Sequence, residues 1–81
     1  MINTDYFDRI SKRLLISDPF YGLLLMSLAK RFTDDANECS TLGVYREGIN
    51  YAIIVNTDFF NGLTEAQAKA VVQHELNGLH N

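Results

Sequence analysis

Apolar positions along the chain recur with two different periods, and the changes of period mark its elements. Phe7, Ile10 and Leu14 follow helical spacing behind Asn3 or Thr4, either of which can cap a first helix with Asp5 in its first turn. Ser17-Asp18-Pro19 breaks that helix and starts the next, with Pro19 at the first helical position. Pro19 to Ala29 (PFYGLLLMSLA) is the only long apolar stretch, far short of the roughly 20 residues that span a bilayer. It predicts a buried helix running to about Arg31. Phe32 to Thr41 is polar and without period, which reads as a loop.

Beyond that loop, Leu42–Arg46 and Asn50–Val55 are rich in β-branched and aromatic residues and flank Glu47-Gly48, a hairpin signal. Tyr51 to Val55 is apolar throughout, as expected of a strand covered on both faces. Asn56 to Gly62 predicts a turn or a short helical one. Thr64 then opens a final helix, and Gln67 three residues later completes a capping box. Ala68, Val71, Val72, Leu76 and Leu79 form its predicted core face. Three helices packed with a small β-hairpin make an α+β fold in one small domain, residues 1–81.

Composition narrows the function classes. A chain of 81 residues is too short for two cores and is stable only modestly without a disulfide, a metal or a partner. A single cysteine, Cys39, excludes an internal disulfide and suits a reducing cytoplasm. The net charge of −3 argues against nucleic acid as a partner. The one basic cluster, Arg9, Lys12 and Arg13, has Asp5 and Asp8 four residues before Arg9 and Lys12, the arrangement of helical ion pairs on a solvated face. No segment reads as a signal peptide or a membrane span, so neither a membrane nor an export route is expected. The acidic stretch Asp34–Glu38 lacks the alternating ligands and central glycine of a calcium loop.

Candidate chemistry lies at the end of the last helix, in Gln73-His74-Glu75-Leu76-Asn77-Gly78-Leu79-His80. In an H-E-x-x-H helix the two histidines lie four residues apart, about 40° around the axis, and both reach one zinc. The glutamate then serves the metal-bound water as general base. Here position 78 is glycine, and the next histidine, His80, lies about 240° around an unbroken helix. Asn77-Gly78 is also a strong helix stop. If the helix ends near Leu76, a turn there folds His80 back towards His74 and permits a shared metal. The plainer reading makes His74 a polar residue at a helix edge and His80 part of a frayed terminus. Cys39, His74 and His80 are the only Cys and His residues, with Glu38 or Asp58 as substitutes in a shell that typically takes three protein ligands.

Taken together, several short pieces resemble the metallopeptidase domain often found ahead of von Willebrand factor A-like domains in bacterial and phage proteins. They are Asp18-Pro19-Phe20-Tyr21-Gly22, the Thr41–Val55 hairpin leading into Asn56, Phe59-Phe60, Leu63-Thr64-Glu65 and Val71-Val72-Gln73-His74-Glu75-Leu76, in the family's order. The resemblance covers nearly all of the chain up to Leu76. It implies the N-terminal half of a zincin-like fold, with His74 as zinc ligand, Glu75 as base and a peptide or protein substrate added as a strand beside the hairpin. Two departures stand against activity: Gly78 occupies the second histidine's place, and the family's third ligand lies further downstream than this chain reaches.

Two functions of different class follow. One is a truncated or variant zinc metallopeptidase-like domain, catalytically incomplete as it stands, with His74 and His80 as metal residues. The other is a non-catalytic module that associates with itself or with a missing C-terminal portion, through the helix after Thr64 at Leu76 and Leu79. A remote alternative rests on Glu38-Cys39-Ser40 ahead of Gln73-His74-Glu75, which faintly resembles peptide deformylases but lacks their glycine-rich segment.

Overall fold

The computed structural model describes residues 1–80, the last of them by its backbone alone. Helix α1 (Asp5–Ser17) buries Phe7, Ile10 and Leu14, the three residues whose spacing predicts it. The Asn3 side chain accepts the Asp5 backbone N–H at 3.0 Å, while the Thr4 side chain makes no capping bond. Asp18 closes α1 by donating its backbone N–H to Leu14 O at 2.7 Å, and α2 (Pro19–Met26) starts at once with Pro19 in its first turn.

The second helix stops well short of the predicted Arg31, and Ala29–Thr33 forms a strand, β1. The physical reason is tertiary. Phe32 packs edge-on against Phe7, ring centroids 5.4 Å apart, and lies level with Val55 in a parallel pairing. Continuing the helix would forfeit both. The Lys30 ammonium donates to Leu25 O and Leu28 O at 3.0 and 2.9 Å, a second donor for Leu25 O, which also accepts Leu28 N–H at 3.2 Å.

Strands β2 (Leu42–Glu47) and β3 (Asn50–Asn56) form the predicted hairpin. Gly48 in its turn has φ 65°, a conformation L side chains rarely adopt. The sheet order is β1-β3-β2, with β1 parallel and β2 antiparallel to the central β3. Short helix α3 (Thr57–Asn61) follows directly, capped by the buried Asn56, whose Oδ1 accepts Phe59 N–H at 3.0 Å and whose Nδ2 donates to Cys39 O at 2.8 Å. Helix α4 (Glu65–His80) begins with the predicted capping box: Thr64 N–H donates to Gln67 Oε1 and Gln67 N–H to Thr64 Oγ1, at 3.0 and 3.2 Å. No described helix is long and apolar enough to cross a membrane.

The result is an α+β fold whose described residues form four helices and a three-stranded mixed sheet. The helices share one core with the inward face of the sheet, where Ile53, Val55 and Leu42 meet Phe7, Ile10, Leu14, Leu25, Phe60, Ala68, Val72 and Leu76. Extents of 30 × 30 × 17 Å fit one helical layer on one sheet. The expectation that β3 is covered on both faces holds beyond Tyr51: Ile53 and Val55 are buried on the inner face, and on the outer face Ala52 and Asn56 are buried and Ile54 is half-buried. By register, the outer face carries Ala52 and Ile54 with Arg31, Gly43, Tyr45 and Glu47 beside them. Among the described residues no helix lies there; the Arg31–Glu47 ion pair reaches across the central strand, and Ala52 is fully buried.

Gly22 fixes how closely α2 approaches α1. A Cβ built there would lie 2.4 Å from Leu15 Cα, a backbone atom that cannot move aside alone. Gly22→Ala is expected to destabilise the chain by about 1–3 kcal/mol, as overpacking does, read from urea denaturation midpoints. Asn56→Ala removes a cap and leaves Cys39 O without that donor, and an expected loss of about 1–3 kcal/mol is read the same way.

Candidate functional site

Helix α4 carries the residues singled out by the motif, and its three flanks face different surroundings. Ala68, Val72 and Leu76 are fully buried, with Val71 and Leu79 half-buried beside them. This fixes the core stripe where the sequence places it. It also corrects one expectation: Leu76 is the floor of the core, with nothing left for an association surface.

The second flank turns to α2. Gln73 Nε2 donates to Asp18 Oδ2 at 3.4 Å, and the Tyr21 hydroxyl donates to Asn77 Oδ1. These contacts latch the two helices at their polar margin, and the motif gives no hint of them. The third flank faces solvent. Ala70, His74 and Gly78 follow one another there at four-residue spacing, all exposed, while Glu75 is half-buried towards the other side. At the start of the helix the Lys69 ammonium donates to Glu65, and together with the Arg13 charge holds that carboxyl below its usual range.

Asn77-Gly78 does not turn. The helix runs through both to residue 80, so the reversal that would bring His80 back to His74 is absent, and the two positions lie about 240° apart around one axis. The reason is in the neighbours: Leu79 packs against the core and Asn77 is held by Tyr21, so ending the helix at Leu76 would release both. The His80 side chain lies outside the described residues.

Cys39 is half-buried in the loop between β1 and β2, its backbone N–H bonded to Asp35 O at 3.1 Å and its carbonyl to Asn56. Glu38 and Asp58 are exposed. Among the described residues, no three His, Cys, Asp or Glu side chains are grouped to hold a metal ion. The described donors therefore do not fit a zinc shell.

The outward side of α2 corrects the expectation of a buried helix. Phe20, Leu23 and Met26, at three-residue spacing, are exposed by 52, 60 and 59 % respectively. The signal was present, since PFYGLLLM is apolar all round and a helix on the rim of a one-layer core can bury only part of its circumference.

Gly78 offers a direct check on the helix. A Cβ there meets nothing within 4 Å, and the backbone φ is not positive. Gly78→Ala is expected to stabilise the chain by about 0.5–1 kcal/mol. A glycine turn would need the conformation that alanine disfavours, and the same substitution would then lower the urea midpoint. Compared with family models, curated proteins and solved structures, the chain finds no match, so the reading of its site rests on its own residues.

Proposed function

We propose that this chain is a metallopeptidase-like domain that is catalytically incomplete as it stands and acts as a non-catalytic interaction module. The observation that carries the interaction reading is the ridge of Phe20, Leu23 and Met26, three large apolar side chains each more than half exposed on one helix. Scattered single hydrophobes are ordinary on a surface; three in register on one face are a contact surface.

The ancestry rests on the order of the sequence pieces and is supported by placement. The helix bearing His74 and Glu75 packs beside β2 of the hairpin, as the zincin-like reading implies. The incompleteness is supported by position 78. It shares the solvent flank with His74, where a second imidazole would complete the pair, and it is glycine. One imidazole on that flank does not supply the three protein ligands that a catalytic zinc takes, so no hydrolytic step is derived.

Elemental analysis of the purified chain, with a peptide-hydrolysis assay, tests this. The expected outcome is well under one zinc per chain, no hydrolysis, and no change in either with His74→Ala. Stoichiometric zinc lost in His74→Ala, with hydrolysis lost in Glu75→Gln, would overturn the non-catalytic reading and establish the peptidase one.

A further inference from the structure

The α2 ridge does not stand alone. Ala29, which opens β1, is level with Ala52, the residue after Tyr51, and Met26 lies only three residues before Ala29. The hairpin turn at Gly48 and Ile49 is at this same end of the sheet, beyond the Glu47–Asn50 pair. Ile49 is exposed by 88 % and Tyr51 by 43 %. Helix α2 leads into β1 at the end of the sheet where the hairpin turns, so the exposed Phe20, Leu23 and Met26 and the exposed Ile49 and Tyr51 belong to two elements that both adjoin that end.

From this placement, and resting on the interaction reading above, we infer that the occupant of this surface is a second copy of the same chain, joined by a two-fold contact of α2 and the hairpin tip with their counterparts. Area is the first argument. At the ~200 Å² that a large side chain carries, the exposed fractions of these five residues amount to roughly 600 Å² per copy. A standard interface buries about 800 Å² per partner, somewhat over half of it apolar. Engaged together in one contact, these residues match the apolar core of a dimer interface, and a polar rim is what remains to be found.

The rim is present and carries both signs. Beside Met26, the shallow cleft along α1 is lined by Asp8 and Lys12 together with Ser11, Leu15 and Lys30. A two-fold axis brings a patch against itself, so a rim holding an acid and a base one helical turn apart can set each opposite its complement. A rim of one sign would repel its own copy. The chemistry of the core is also suited to self-contact, because the aromatic rings of Phe20 and Tyr51 can meet the Met26 thioether and the aliphatic Leu23 and Ile49 side chains of the other copy.

The test is light scattering coupled to size exclusion, on the full chain over a concentration series up to about 1 mM, a range that reports even millimolar association. The 9.2 kDa chain is expected to run at twice its mass at the upper end and to fall towards the monomer on dilution. Leu23→Glu and, separately, Ile49→Glu are expected to weaken association at least tenfold. Both positions are exposed, so circular dichroism is expected to be unchanged, and so is the melting temperature at dilutions where the parent is itself monomeric. Ile2→Glu, exposed at the opposite end, is the control and leaves the dimer intact. A parent that stays monomeric throughout overturns the second copy as partner while leaving the non-catalytic reading standing, since that reading fails only on zinc and hydrolysis. A dimer indifferent to both Leu23→Glu and Ile49→Glu overturns this surface.

Discussion

The junction of Phe7, Phe32 and Phe60 organises the rest of the molecule. Phe7 lies 5.4 Å from Phe32 and 5.2 Å from Phe60 between ring centroids, so one side chain of α1 joins β1 and α3. In a chain of this length few residues can exclude water from every side, and large rings bury the most area per position. Once Phe32 is committed to that junction, its neighbours must run extended beside β3. The parallel β1–β3 pairing then follows, with α2 having to end before it. The polar seam at the far end of the sheet is a consequence of the same commitment. Thr57 Oγ1 donates to Thr33 O at 3.4 Å and Asn56 N–H to Thr41 O at 2.7 Å, so the end of β1, the returning loop and the start of α3 are tied at one point.

This explains which elements were legible in the sequence. The spacing of Phe7, Ile10 and Leu14, the Pro19 start, the hairpin around Gly48 and the Thr64–Gln67 box are signals carried by neighbouring residues, and each has its counterpart in the structure. Strand β1 was not legible because its evidence is distant. Ala-Lys-Arg-Phe-Thr directly after an apolar run reads as the end of a helix and the start of a loop, and only Val55 and Phe7, far along the chain in both directions, make it a strand. The outer face of β3 is covered, as an apolar strand implies, but by means the sequence does not show. An apolar strand is normally covered twice; here Ala52 and Asn56 are buried on the outer face, where the Arg31–Glu47 pair joins the two strands that flank β3 and no helix is found among the described residues.

A single helical layer also explains α2. Gly22 lets its backbone come against Leu15, which buries Leu25 and leaves Leu24 and Tyr21 packed at the margin. The turn of helix carrying Leu23 and Met26 then has no element over it among those described. An apolar circumference is thus not a contradiction of the burial rule but its continuation, since the residues that this chain cannot cover are those available to another surface.

The site itself shows how packing overrides a local stop. A glycine inside a helix costs about 1 kcal/mol relative to alanine, and Asn-Gly prefers a turn. Against that, ending α4 at Leu76 would withdraw Leu79 from the core, where a large aliphatic side chain contributes about 1.5–3 kcal/mol when fully buried and less when half-buried. It would also release the Tyr21–Asn77 contact and the backbone bonds of the last turn. Leu79 and Asn77 lie on flanks of the helix that face the core and α2, so both are satisfied only if the helical twist continues through Gly78. The same twist sends position 78 to the solvent side with His74. The geometry that keeps the helix intact is therefore the geometry that keeps positions 74 and 80 apart, and the chain gains packing at the point where the motif would have needed a turn.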